Sequence, residues 1–305
     1  MAKSFALLLA SALLAASSSA SAAQPPFVGP VEAGAMQEPR NREASGLAAS
    51  PATPDLLWTH ADSGDRAILH ALNGRGELRG SVELDGVKAI DWEDLASYRL
   101  GDESWLCIGD VGDNAARRPH LLLHFVREPA AARLSPTQVL RLKPEFTVEV
   151  TYEDGARDCE SLAVDPRERM VYLLSKRESV PRLYRLPLPD RAGAATARQV
   201  GEVPHIPQPT AAQRLIKTPT GAYRASPCAM DFAPDGSGAL ILSYGNLMYF
   251  PRTRDESWAD ALGREPVLLA PHDLPQAEAA AFSTDGRAIF LCSEETSRLL
   301  RYDRW

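Results

Sequence analysis

The chain has 305 residues, 45% of them hydrophobic and 24% charged, which is enough apolar material for a full core. Its formal charge of -7 lacks the basic footprint that non-specific nucleic-acid binding needs and suits a cationic or metal partner better. The four cysteines, Cys107, Cys159, Cys228 and Cys292, are too widely spaced for a zinc site.

Lys3, the apolar stretch FALLLASALLAA and the small residues of SASAAQ read as a secretory signal peptide over 1–22, cleaved after Ala22 or Ala23. That stretch is too short to span a bilayer, and no second apolar run of ~18 residues follows, so no membrane span is expected. The mature protein is read as periplasmic or secreted, with 23–42 as a lead-in and 43–305 as one domain. In that oxidising setting disulfides are open to the cysteines. Cys159 with Cys228 is the one pair considered, and buried free thiols are the competing reading.

From residue 43 onward a unit repeats. EASGLAASP at 43, WEDLASY at 92, CESLAVDP at 159, CAMDFAPDG at 228 and AEAAAFSTDG at 277 are short runs of small and apolar residues. Each is followed by a second β-rich run: DLLWTHA, SWLCIGD, MVYLLSK, ALILSYG and AIFLCSE. A third run usually follows, and a fourth is visible in LRGSVELD, FTVEVTYED and PVLLAP. Strand-length runs, turns such as Pro234-Asp235-Gly236 and almost no helical period indicate an all-β chain. Repeats of this length with about four strands each predict a β-propeller of four-stranded blades. The direct count is five blades. Six is the alternative, if the inserts REPAAARLSPTQVLRLKP or PQPTAAQRLIKTPTGAYRAS hide another. The last unit, ending RLLRYDRW, is one strand short, and the lead-in around Val31–Asn41 is expected to supply that strand and close the ring.

Propeller geometry places the loop entering each first strand on the same face as the exit of the second. Those positions carry Glu43, Asp91, Glu93, Asp158, Glu160 and Glu278. Two exits carry Asp-x-Gly-Asp: Asp62-Ser63-Gly64-Asp65, which lies 17 residues after Ser45, and Asp110-Val111-Gly112-Asp113, which begins 17 residues after Glu93. Carboxylates gathered in one place repel, and must be protonated, solvated or bound to a cation. Calcium takes six to eight oxygens from carboxylates, carbonyls and Asn amides. The expected metal set is Glu43, Asp62, Glu93, Asp110, Asp113, Asn114, Glu160 and Glu278, with calcium as the ion. The competing reading is that Asp and Asn cap tight turns. His60, beside Asp62, is the candidate general base. Trp58, Trp92 and Trp105 are expected to pack between blades.

EASGLAAS, WTHADSGD, DWEDLA and GDVGDN together resemble a poorly characterised group of secreted bacterial β-propellers, most tightly over Glu43–Asn114. In that group the second motif reads Trp-Thr-His-Asn-Asp-Ser-Gly, and Ala61 stands here in place of that Asn. The group is more loosely similar to calcium-dependent propeller hydrolases of the phytase-like and gluconolactonase or paraoxonase-like kinds. The resemblance implies calcium at the channel mouth, and a phosphoester or lactone substrate if the protein is an enzyme. The motifs that carry catalysis in those hydrolases are not recognisable here. Two functions therefore stay open: a calcium-dependent hydrolase acting on a small or anionic substrate, and a non-catalytic binding propeller. A monomer is expected.

Overall fold

The computed structural model describes residues 26–37, 44–62, 66–215 and 223–305. The segment predicted as a signal peptide therefore lies outside the described residues. No helix among them is long and apolar enough to cross a membrane.

Strand β1 (Phe27–Ala35) comes first in the chain but belongs to its last sheet. Next, β2 (Ala44–Ala49), β3 (Leu56–Ala61), β4 (Ile68–Asn73) and β5 (Leu78–Leu84) form an antiparallel meander. A second meander is β6 (Trp92–Leu100), β7 (Glu103–Asp110), β8 (Leu121–Arg127) and β10 (Phe146–Tyr152). Between its last two strands, β9 (Val139–Leu142) crosses over to pair in parallel with β5. The third meander is β11 (Cys159–Asp165), β12 (Met170–Ser175), β13 (Arg182–Pro187) and β14 (Gly193–Glu202). Its outer strand also runs parallel to β10, which joins two units edge to edge.

A short helix α1 (Ala211–Arg214) precedes the fourth meander, β15 (Pro227–Phe232), β16 (Gly238–Ser243), β17 (Asn246–Pro251) and β18 (Val267–Leu268). Helix α2 (Trp258–Leu262), capped by Ser257, lies between the last two of these strands. The fifth meander is β19 (Ala277–Phe282), β20 (Ala288–Ser293) and β21 (Arg298–Arg304). Here β1 supplies the fourth strand, pairing antiparallel with β21 from Phe27–Arg304 to Ala35–Arg298. The closing strand thus starts at Phe27, a few residues earlier than the sequence placed it.

The first strands β2, β6, β11, β15 and β19 neighbour one another in that order, and β19 returns to β2. Five buried clusters lie one at each junction between adjacent meanders. The junction between the first and last meanders holds Leu47, Leu57, Leu72, Phe290 and Leu299, so it is packed like the others. Each such buried Leu or Phe stabilises by roughly 1.5–3 kcal/mol. The fold is a β-propeller. Neither long insert builds a further four-stranded sheet among the described residues: one contributes β9, the other α1.

Small residues fill the innermost strands because five backbones converge on one axis. At one shared level the side chains are Ala48, Ala96, Ala163 and Ala281, with Asp231 in the remaining unit. The innermost strands have no strand partner on their axial side, so their amides need other acceptors. Two carboxylates serve, Asp94 buried and Asp231 half-buried. Asp94 accepts from Leu95 N at 2.8 Å, Leu162 N at 2.7 Å and Met230 N at 3.3 Å, reaching three units. Asp231 accepts from Phe232 N at 2.8 Å and Phe282 N at 2.9 Å. All four cysteines are buried free thiols, including the pair considered for a disulfide.

Candidate metal centre

Each of the five innermost strands carries a β-bulge at the same place. The register slips between Ala44 and Gly46, Trp92 and Asp94, Cys159 and Ser161, Pro227 and Ala229, and Ala277 and Ala279. A bulge leaves one residue unpaired and re-aims its side chain. The residues so displaced are Ser45, Glu93, Glu160, Cys228 and Glu278. Ser45 Oγ donates to Glu93 Oε2 at 3.3 Å, and Glu93, Glu160, Cys228 and Glu278 lie close enough to influence one another's ionisation. They form one ring of side chains at the start of the channel.

A second ring comes from the exits of the second strands. Opposite the first residue of each innermost strand stand Ala61, Asp110, Ser175, Ser243 and Ser293. The next residues are Asp62, Val111, Lys176, Tyr244 and Glu294. Val111 is buried in the core between the second and third units, while the other four meet the acids of the first ring. The equal spacing that aligned Asp62 with Asp110 is therefore offset by one residue, because the second hairpin is one residue longer than the first. A one-residue slip turns a side chain to the other face.

That slip accounts for the second Asp-x-Gly-Asp motif. Asp110 is fully buried; its oxygens accept from Ile90 N at 3.0 Å and Asp91 N at 3.2 Å, and Arg118 Nη2 lies 2.7 Å from Oδ1. Asp113 accepts from Arg117 N at 2.9 Å and Arg118 N at 2.8 Å, capping its own turn. Asn114 Oδ1 accepts from Arg177, whose Nε also holds Asp158 Oδ2 at 2.5 Å. The turn-capping reading describes Asp113 alone; Asp110 and Asn114 are held by a distant loop and by arginines, and none of the three is among the acids that converge. Glu43, and the Ser63–Asp65 part of the first motif, lie outside the described residues.

What does converge is Asp62, Asp91 and Glu93, each offering an oxygen within 4.8 Å of the others. Asp91 is an entry-loop acid outside the ligand set expected from the sequence. Gly112 allows this approach: a Cβ there would sit 2.4 Å from Glu93 Oε1 and 2.5 Å from the Asp91 carboxyl. The glycine of the second motif therefore belongs to the cluster although its aspartates do not. Burial pushes the Glu93 carboxyl well up, and Glu160 and Asp62 add to that. Burial also raises Asp91; Arg118 opposes this, while Asp158, Asp110 and Asp113 add to it. Acids destabilised in this way as anions gain most from a cation. Three carboxylate oxygens this close together could hold a metal ion, and hard cations prefer such oxygen donors.

The other side of the mouth is neutralised internally. Lys176 forms an ion pair with Glu160, their side chains only 5% and 7% exposed, and donates to the Tyr244 hydroxyl at 3.0 Å. Tyr244 donates in turn to Glu278 Oε1 at 2.6 Å. Burial works against the Lys176 ammonium, but the Glu160 and Glu278 carboxyls around it hold it charged. Glu160 and Glu278 thus share the mouth with the cluster while bonded to Lys176 and Tyr244. Burial and a hydrogen bond to Glu278 push Glu294 up to about 10, so this pair holds a proton at neutral pH.

His60 faces none of this. Its ring is fully buried, Nδ1 lies 2.9 Å from Ala61 O, and a Cβ on Gly46 would strike its Nε2. It packs edge-on to Trp92 at 5.4 Å, and burial lowers its pKa to about 4. That is the setting of a neutral core histidine. Trp58 is likewise buried at the first junction, with Nε1 donating to Glu128 at 2.8 Å.

No family model matches the chain, and no curated protein matches it. A chain in a crystal structure of the mitotic checkpoint complex is similar at 13% identity and a TM-score of 0.38, covering 85% of this chain and 62% of that one. At that score and identity the similarity bears on neither function nor site.

Proposed function

We propose that this protein is a calcium-binding β-propeller whose role is to bind a partner or small ligand at the acidic channel mouth. One observation carries the reading: Asp62, Asp91 and Glu93 converge within 4.8 Å beside Gly112, a residue whose missing side chain leaves them room. The Glu43–Asn114 stretch resembles secreted bacterial propellers, which supports both the ion and a periplasmic or secreted setting. Asp62, Asp91 and Glu93 would hold the ion. The test is calorimetric titration of the full chain with calcium, followed by Asp91→Asn and Glu93→Gln. Binding near one ion per chain, lost in both variants, supports the reading. Unchanged binding in both would sink it.

A second reading, a hydrolase, is favoured by a separate observation, the Glu278 and Glu294 carboxyls brought together beside Lys176 and Tyr244. Bound calcium would supply Lewis acidity toward a coordinated substrate oxygen. Glu294 would give its proton to a leaving oxygen, and the Lys176 ammonium would steady negative charge nearby. Chromogenic phosphoesters and lactones test it: turnover that needs calcium and is lost in Glu294→Gln supports the hydrolase. Absence of turnover with calcium bound leaves the binding role as the function.

A further inference from the structure

At the other end of the same five innermost strands lies a separate cavity of about 240 Å³. All five units contribute to it. Tyr98, Phe232 and Phe282 supply aromatic walls, and Asp231 lies among them. The rings are held in place from behind: Phe232 stacks on Trp258 at 3.7 Å, Tyr98 on Trp105 at 6.4 Å, and Phe282 packs against Phe27 at 5.9 Å.

Asp231 is the unusual member. The corresponding side chain in each other unit is alanine, so a carboxylate here is not a requirement of the propeller. Each of its oxygens accepts one backbone amide and keeps a further lone pair. Among the described residues no cation pairs with it. The acid beside it on the rim, Asp165, differs in this respect: it is bonded to Trp258 Nε1 at 2.9 Å and paired with Arg167 and Arg252.

We propose that this cavity is a second ligand site, selective for a small organic cation: a primary ammonium carried on a single ring or short apolar chain. A carboxylate without a counter-ion, in a cavity lined by aromatic residues, is complementary to an ammonium on an apolar body, because the carboxylate pairs with the charge and the rings with the body. The volume lies below the roughly 300 Å³ at which drug-sized pockets begin, which limits the ligand to about one ring. The site is independent of the acidic mouth, which lies at the opposite end of the strands.

Burial pushes Asp231 up to about 7. The charged groups facing it are Asp94 on β6, Asp165 and Arg167 at the end of β11, and Arg99 on the rim. An ammonium favours the ionised carboxylate, so binding strengthens with pH. Asp231 passes from mostly protonated at pH 6 to mostly ionised at pH 8, a change of roughly tenfold in affinity.

The experiment titrates the full chain with benzylamine, benzyl alcohol and benzoate at pH 8, and with benzylamine again at pH 6. The expected result is benzylamine at least tenfold tighter than either analogue, and weaker at pH 6. Asp231→Asn should remove the preference for the amine. Ala49→Leu, which fills the cavity and keeps the acid, should abolish binding even if the first variant folds poorly. Glu93→Gln should leave amine binding unchanged. Equal binding of amine and alcohol, no binding at millimolar concentration, unaffected binding in Ala49→Leu, or loss of binding in Glu93→Gln would each overturn the proposal.

Discussion

The Lys176 ammonium is paired with the Glu160 carboxylate inside the channel mouth, where both side chains are almost wholly removed from water. A mobile cation would otherwise be needed at that point, so the lysine acts as a tethered one. It leaves Asp62, Asp91 and Glu93 as the acids that converge on one another.

Replacing it tests this division. Lys176→Met should lower stability without calcium by about 3–5 kcal/mol, the cost of leaving a buried charge unpaired. It should also raise calcium affinity or stoichiometry, since Glu160 and Glu278 become available as ligands. Chemical denaturation with and without calcium reads the first effect, and calorimetry the second.

Gly112→Ala places a methyl against Glu93 and Asp91. Calcium should raise the melting temperature of the wild-type chain by mass action on the folded state. The variant should lose most of that rise. A full calcium response in Gly112→Ala would remove the glycine from the site.

Asp110→Asn separates the loop-holding role from the metal role. Its carboxylate serves two backbone amides and Arg118, so the variant should lose about 1–3 kcal/mol equally with and without calcium. A loss confined to the calcium-bound protein would return Asp110 to the ligand set.

Stability without calcium should fall as pH rises from 6.5 to 8. Burial raises Asp231 to about 7 and holds the Glu93 carboxyl well up, so the folded chain holds protons there that the unfolded chain has released. The stabilisation these acids give is full below about pH 4 and is lost through their folded values. His60 and His124, lowered by burial to about 4, act in the opposite sense, and only below about pH 6.5. Saturating calcium should flatten the upper limb. A thermal-melt series across pH, run with and without calcium, checks both statements.

Most of the architecture could be read from the chain because the innermost strands announce themselves. Runs such as CESLAVD and AEAAAF are small and apolar, and Pro234-Asp235-Gly236 and Thr284-Asp285-Gly286 mark where hairpins turn. The outer strands were harder. Gly193–Glu202 is largely exposed, so it lacks the apolar alternation that reveals a strand. The site was half visible. Asp62, Asp91 and Glu93 stand beside recognisable strands, but hairpin lengths that differ by one residue hid which exits face the mouth. Tyr244 and Glu294 go unseen for that reason, and Asp110 enters the expected ligand set for the same one. Aligning on the bulge in each first strand, rather than on a fixed count, would have found them.

The repeated bulge also bears on how such a protein can change its task. Ser45, Glu93, Glu160, Cys228 and Glu278 are each left out of the ladder of hydrogen bonds, so the identity of these five side chains is uncoupled from strand pairing. They behave as sockets on a common frame. One substitution per unit could exchange an acid for an amide, thiol or hydroxyl and rewrite what the mouth recognises, while every backbone bond that closes the ring stays as it is.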